Sequence, residues 1–355
     1  MSNNDHRIVF LDWLRIFSFV SVLAGHKFYE QLTILSLDNS IHASLRMLIQ
    51  LILPFCASGG AGVVVFFLVS GYIITHVLQK EHHSEFLIRR FFRIYPLYIF
   101  AVLLETCFAI VIDHAPISFH TLIPQLLLIG DFFSTPLALN TTEWTLRIEV
   151  LFYALMFTLS YLKVIKKYDF LLPWTLVFIT LLMYSIPPIP DYDLPTTGYL
   201  NIYGPFLFLG AFFFLYQNNK ITFSLLQAFI ALIFFDYWSL LVVHNPRLKE
   251  AHFAILGFGV FVTAWNCRNL LTSNAVILFF SELTYSVYLF HNWLYDRIKA
   301  IPIFNNDLCA LVILILACSI FVKLIEKPGI YLGRLICNRL GSNKPVFINK
   351  PSLIS

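Results

Sequence analysis

The segment IVFLDWLRIFSFVSVLAGHK at residues 8–27 decides the fold. Its length matches the roughly 20 apolar residues with which a helix crosses a bilayer. The whole chain of 355 residues has the same character, with 59% hydrophobic and only 12% charged residues and a mean hydropathy of +0.77. Soluble proteins carry about twice that share of charge. The sequence therefore predicts an all-α, polytopic membrane bundle and excludes a large soluble domain.

Apolar runs separated by polar clusters predict about ten transmembrane helices. We expect residues 1–340 to form a single transmembrane domain and residues 341–355 a short cytoplasmic tail. A further apolar stretch at 43–56 is too short to span comfortably, so we expect it to lie along the interface or to re-enter. Pro328 and Gly329 are expected to end the last span. The predicted spans lie near residues 8–27, 59–79, 92–112, 145–163, 168–186, 199–216, 222–243, 252–267, 275–295 and 307–326.

Lys and Arg are concentrated in the loops on one side of these spans, which predicts that both termini lie in the cytoplasm. The first apolar run has no small-residue cleavage site and is interpreted as a retained helix. The net charge of +4 comes from short clusters between spans and gives no case for binding nucleic acid. The six cysteines lack the spacing of a metal site or a disulfide framework. Because most of the chain consists of predicted spans, the lipid bilayer is the first predicted partner.

The first span contains two polar residues that lie on one helix face. Arg15 and His26 are eleven positions apart, which places them within about 20° of each other around the helix and ~16 Å apart in depth. A charge at the centre of a span costs roughly 2.5–3.5 kcal/mol on insertion scales. Such a residue points to function or to a structural pair, and Asp12 could pair with Arg15. An Arg15 that snorkels and an interfacial His26 remain the structural alternative.

The segment RRFFRIYPLY at residues 89–98 places basic residues at the predicted cytoplasmic end of a span. Arg89 and Arg93 are spaced i,i+4 and share a helix face, and Arg90 projects nearby. Guanidinium groups bind phosphate in a forked, bidentate way, so this cluster fits a polyanion such as coenzyme A. Contact with anionic lipid head groups explains the cluster equally well.

The segment TTEWTLRIEVLFY at residues 141–153 carries Glu149 into an apolar span, with Tyr153 one turn later. An intramembrane carboxylate must be protonated or paired. Glu149 could orient or charge-balance His26, accept a proton itself, or pair with an arginine of another helix. The segment YSVYLFH further along the chain forms a polar stripe that is also compatible with packing alone.

These segments together resemble the membrane acyltransferase-3 family, which acylates bacterial surface glycans and related molecules. The resemblance runs from about residue 8 to residue 334. It rests on the Arg-x10-His of Arg15 and His26, on GVVVFFLVSGYIIT, RRFFRIYPLY, WTLRIEVLFY and YSVYLFH, and on the terminal EKPG, all in family order.

The resemblance implies a stand-alone enzyme of the bacterial inner membrane that takes an acyl group, by family habit acetyl, from cytoplasmic acyl-CoA. The acceptor would be a hydroxyl of an extracytoplasmic glycan such as O-antigen, exopolysaccharide or a lipid-linked sugar. His26 would act as general base or as a transient acyl carrier. Together with the patterns above, the resemblance assigns catalysis to His26 and Glu149, donor binding to Arg15, Arg89, Arg90 and Arg93, and substrate contact to Trp144, Tyr153, Tyr288 and His291.

Two alternatives concern the function class. A polytopic transporter or flippase could use the same buried charges, although repeated halves and paired broken helices are not evident in the sequence. A non-catalytic structural or sensor protein would also retain them. No HExxH or cysteine cluster indicates a metal cofactor.

Overall fold

A computed structural model describes residues 8–116, 118–167, 169–191, 197–244 and 251–341. The structure is 78% helical and contains no strand among these residues, which confirms the all-α prediction. Apart from Gly341, the predicted tail at residues 341–355 lies outside the described residues. The helices are α1 Val9–Lys27, α2 Tyr29–Leu37, α3 Ala43–Cys56, α4 Gly60–Leu78, α5 His83–Val111, α6 Phe119–Leu126, α7 Trp144–Tyr161, α8 Leu171–Ser185, α9 Tyr199–Tyr203, α10 Pro205–Gln217, α11 Phe223–His244, α12 Phe253–Asn266, α13 Ala275–Phe290, α14 Trp293–Lys299, α15 Asp307–Phe321 and α16 Lys327–Gly341.

Six helical stretches in the described part of the chain are long and apolar enough to cross a membrane. Three shorter apolar helices, α8, α12 and α13, accompany them. The multi-pass character is therefore confirmed, while the count of ten and the side on which the termini lie stay predictions. The six stretches are Val9–Lys27, Ala43–Leu78, His83–Val111, Tyr199–Gln217, Phe223–His244 and Asp307–Leu340.

Helix α4 is the centre of the bundle, with α1, α10 and α12 packed around it. It is apolar on all sides and mostly buried, as expected of a core helix. Small residues allow its neighbours to approach closely. A Cβ on Gly71 would lie only 1.8 Å from the carbonyl oxygen of Leu207, so α10 could not pack at this distance against any larger residue.

The apolar stretch at 43–56 is helix α3, and a 3₁₀ turn at Ala57–Gly59 leads from it into α4. Ser58 and Gly59 have φ values of 51° and 67°, in the left-handed region that glycine adopts without strain. The stretch is thus the first arm of a broken helix. The break directs the start of α4 towards the end of α1, where a Cβ on Gly25 would lie 2.2 Å from the carbonyl oxygen of Cys56.

Two expected helix ends differ from the structure. The span predicted at 275–295 is interrupted, because α13 ends at Phe290 and α14 begins at Trp293. Pro328 and Gly329 do not end the last span, since α15 continues through a π-helical turn at Val322–Glu326 into α16. Pro328 lies in the first turn of α16, where proline is tolerated.

Candidate active site

A narrow cavity of about 80 Å³, named here the arginine cavity, lies between α1, α4, α5, α7 and α13. Its walls contain polar residues from every one of these helices, although the helices are apolar overall. Arg15 comes from α1 and Glu149 from α7, each of which had been singled out as an intramembrane charge. The other polar lining residues are Ser18, Ser70, Arg90, Arg93, Thr145, Tyr153, Ser281, Thr284, Tyr285 and Tyr288.

The arginines of α5 divide between two environments. Arg90 and Arg93 line the arginine cavity and, among the described residues, form neither an ion pair nor a hydrogen bond. Arg89 is different: its guanidinium pairs with the Glu81 carboxylate at 2.6 Å, and its side chain is 39% exposed. The expectation that Arg89 and Arg93 form one binding face is therefore wrong. Arg90 and Arg93, which are three residues apart, both face the cavity because α5 packs with that side inward.

Glu149 is fully enclosed but does not contact His26. One carboxylate oxygen, Oε1, accepts hydrogen bonds from the hydroxyl of Ser70, at 2.7 Å, and from the hydroxyl of Tyr153. The prediction that Glu149 orients His26 is thus wrong. Helix α7 turns this carboxylate towards α4 and the arginine cavity, and the charges of Arg90 and Arg93 act on it there.

A second cavity of about 190 Å³, the histidine cavity, contains His26 in its wall. Trp144, at the start of α7, also lines this cavity, together with Thr141 and Thr142. The ring of His26 is held close to the turn between α3 and α4, because a Cβ on Gly59 would lie 3.5 Å from its Nε2. Gly59 is favoured by its positive φ, and a Cβ there would also lie only 3.0 Å from Cα of Val22.

His26 is hydrogen-bonded to His291, which is only 1% exposed. His291 Nδ1 lies 2.7 Å from the carbonyl oxygen of Tyr288, and a carbonyl can only accept, so Nδ1 carries the proton. In neutral His291 the other nitrogen, Nε2, is then an acceptor. It lies 3.3 Å from His26 Nδ1, which must donate to it. In this tautomer the lone pair of neutral His26 is on Nε2, and the His26 ring has a further hydrogen bond to the backbone of Ser58.

The two cavities adjoin. Val22, Val63 and Tyr288 line both of them. The Tyr288 hydroxyl is bonded to the hydroxyl of Thr145 and donates to the carbonyl oxygen of Thr142 at 2.8 Å. Arg15 and His26, predicted to share a face of α1, therefore line adjoining cavities, and the Tyr288 side chain belongs to the wall of both.

An ion cluster that the sequence reasoning missed fixes the start of α7. Arg147 is completely buried and pairs with Asp131 at 2.5 Å and with Glu143 at 2.7 Å. Asp131 also accepts a hydrogen bond from Tyr199 at 2.5 Å. The i,i+4 spacing of Glu143 and Arg147 was the available signal. The cluster ties the loop before α7 to α9 and so holds Trp144 against the histidine cavity.

The predicted site residues thus form two groups. Arg15, Arg90, Arg93, Glu149 and Tyr153 line the arginine cavity, whereas His26 and Trp144 line the histidine cavity. Tyr288 lines both cavities, and His291 is hydrogen-bonded to His26. Within the described ranges, no three His, Cys, Asp or Glu side chains are grouped as metal ligands would be.

Comparison with known proteins adds the family. The sequence profile of the acyltransferase domain matches residues 8–325, nearly the whole chain. No curated protein and no solved structure matches the chain significantly. Three observations agree: the membrane-type helices, the adjoining cavities with arginines in one and a histidine in the other, and the family match over this length. The chain therefore belongs to the acyltransferase-3 family and is a membrane acyltransferase.

Proposed function

We propose that the protein transfers an acetyl group from cytoplasmic acetyl-CoA to a hydroxyl of an extracytoplasmic glycan, such as O-antigen, exopolysaccharide or a lipid-linked sugar. It would do so in the bacterial inner membrane. The observation that carries the proposal is the junction at Tyr288, where the cavity lined by Arg90 and Arg93 adjoins the cavity lined by His26.

The donor enters at the arginine cavity in this proposal. Arg90 and Arg93 bind the phosphates of acetyl-CoA, because both guanidinium groups face the cavity without a carboxylate partner in the described part of the chain. Arg15, further along the wall, stabilises negative charge on the donor. In this proposal the nucleotide part stays at the end of the cavity near Arg90 and Arg93, and the extended pantetheine arm passes towards Tyr288.

His26 acts as general base at the far end of the path. Its Nε2 removes the proton from the acceptor hydroxyl while the hydroxyl oxygen attacks the thioester carbonyl. The tetrahedral intermediate collapses with cleavage of the carbon–sulfur bond, and the coenzyme A thiolate takes the proton back from the imidazolium. His291 holds His26 in the Nδ1–H tautomer and strengthens its hydrogen bond when His26 becomes charged, the role that a carboxylate has in other acyl transfers. His291 is in this view a positioning residue.

The test uses purified protein in lipid nanodiscs with acetyl-CoA and methyl glycosides as soluble acceptors. Release of coenzyme A and formation of acetylated glycoside are measured by mass spectrometry. His26→Ala is expected to abolish transfer, and His120→Ala, which removes an exposed histidine of α6, is expected to leave it unchanged. Near-normal turnover by folded His26→Ala would overturn the base assignment.

A second measurement identifies the acceptor in cells. Mass spectrometry of surface polysaccharides from cells with the wild-type protein, with His26→Ala and without the protein should reveal an acetyl ester that is present only with the wild-type protein. If the protein moves a substrate across the membrane without consuming acetyl-CoA, the transporter alternative replaces this proposal.

A further inference from the structure

A third cavity lies at the same end of the bundle as His26 and takes no part in the donor path. It occupies about 580 Å³ between the end of α5, α6 and α14, and we name it the lateral cavity. This volume falls within the range of about 300–1,000 Å³ that is typical of small-molecule sites. Its lining alternates apolar side chains with hydrogen-bonding groups, among them Glu105, Gln125, Asn140, Trp293, Asp296 and Arg297.

The polar groups of the lateral cavity are held in place by the protein. Glu105 accepts hydrogen bonds from the backbone N–H groups of Leu139, at 2.7 Å, and Asn140, at 3.1 Å. A carboxylate has about four acceptor positions, so Glu105 retains capacity for a ligand. Arg297 is anchored by Asp113, and its hydrogen bond lowers the pKa of the Asp113 carboxyl.

The residues that follow the two histidines in the sequence are bonded to the wall of the lateral cavity. Lys27, which follows His26, pairs with Asp296 of the cavity wall at 2.6 Å. Asn292, which follows His291, donates its side-chain N–H to the carbonyl oxygen of Asn140 at 2.7 Å. The sequence neighbours of both histidines thus form the partition between this cavity and the candidate active site.

The chemistry of the lining selects the kind of ligand. The carboxylates of Glu105 and Asp296 face the cavity beside two cations, Arg297 and, at the edge, Lys27. Because these charges nearly balance, a strongly charged ligand would gain little binding energy from them. A neutral molecule with many hydroxyl groups would instead find acceptors in Glu105 and Asp296 and both donors and acceptors in the amides. Saccharides are hydroxyl-rich, partly apolar molecules of this size, and the proposed acceptor is one of them.

We propose that the lateral cavity binds the acceptor as a neutral saccharide, with the reacting hydroxyl directed past Asn292 towards His26. The proposal rests on the proposed function and names the place where its acceptor binds. The saccharide is held by Glu105, Asn140 and Asp296, and the donor reaches the same histidine from the opposite side through the arginine cavity.

The test fills the cavity and compares the result with a matched control. Ala109→Phe places a ring in the lateral cavity, because Ala109 is one of its lining residues on α5. Cys107→Phe adds the same ring two residues earlier, about 200° around the helix, where the side chain is exposed. Thermal unfolding of both variants in nanodiscs establishes that each is folded.

Binding is measured first, by saturation-transfer NMR with a panel of methyl glycosides and without acetyl-CoA. We expect signals for at least one glycoside with the wild type and Cys107→Phe, and a loss of at least tenfold with Ala109→Phe. Equal signals with Ala109→Phe, or none from the wild type with any glycoside of the panel, overturn the proposal.

Turnover separates this inference from the proposed function. Ala109→Phe should raise the KM for the glycoside at least tenfold, while Cys107→Phe should keep the wild-type KM. If the wild type binds a glycoside in the lateral cavity but never consumes acetyl-CoA, the proposed function fails and the saccharide site stands. If transfer occurs with an unchanged KM in Ala109→Phe, the saccharide site fails and the proposed function stands.

Discussion

Replacement of His291 tests the donor chain that sets the tautomer of His26. His291→Phe keeps an aromatic ring in the same buried space but removes both nitrogens, so His26 Nδ1 loses its acceptor and the Tyr288 carbonyl loses its donor. The hydrogen bond to His26 becomes charge-assisted when His26 accepts a proton. Such bonds contribute about 1.5–3 kcal/mol.

The separation of the two imidazole nitrogens decides the magnitude. At 3.3 Å it is longer than the most common hydrogen-bond distance, so we take the lower part of the range, about 1.5–2 kcal/mol. A loss of this size in the transition state corresponds to a kcat roughly 10- to 30-fold lower, since each 1.36 kcal/mol is about tenfold. The KM for acetyl-CoA should not change, because His291 is not part of the arginine cavity.

The assay is steady-state release of coenzyme A by protein in nanodiscs, with saturating methyl glycoside. His291→Gln serves as the conservative variant, since its amide can donate to the Tyr288 carbonyl and accept from His26 Nδ1. We expect it to recover part of the lost kcat. A folded His291→Phe protein with kcat within twofold of the wild type would refute the positioning role.

Two further predictions concern donor binding and packing. Arg90→Ala and Arg93→Ala should each raise the KM for acetyl-CoA about tenfold or more, because each loses a charge-assisted contact to phosphate. Arg89→Ala is the control and should leave this KM nearly unchanged. Equal effects of all three variants would contradict the division of the arginines seen on α5. Gly25→Ala should destabilise the protein by about 1–3 kcal/mol in thermal unfolding, because its Cβ would overlap the Cys56 carbonyl. Gly259→Ala, with no atom within 4 Å of its Cβ, is the control, and equal midpoints for the two variants would contradict this reasoning.

The membrane fold was predictable because hydropathy is a local property of each segment. Helix ends inside the bundle were harder to predict, since they depend on contacts between helices. Pro328 and Gly329 have the signature of a helix end, yet a Cβ on Gly329 would lie only 2.9 Å from Cγ of Pro96. The pair therefore allows α16 to approach α5 within a continuing helix. The sequence likewise has no proline or glycine at the break after Phe290, so the break could not be predicted from it.

The site was predictable only where it lies on one helix. Arg15 and His26 belong to the regular helix α1, so their spacing fixed their common face. The partner of His26 was mistaken because Glu149 and His291 come from other helices, whose rotation is set by packing. The bond from His26 to His291 joins residues 265 positions apart. Spacing within a segment carries no information about such a pair.

The arrangement of charge around Arg93 explains why this part of the bundle is suited to an anion. Two buried carboxylates, Glu149 and Glu326, interact electrostatically with Arg93, but neither forms an ion pair with it in the described part of the chain. Their charges lie near the partly buried guanidinium, while its N–H groups donate no hydrogen bond to a described residue. Arg147 provides the contrast, because direct bonds to two carboxylates use its donors. An arginine balanced at a distance can bind phosphate without first breaking an ion pair, and this distinguishes the proposed donor site from the structural cluster around Arg147.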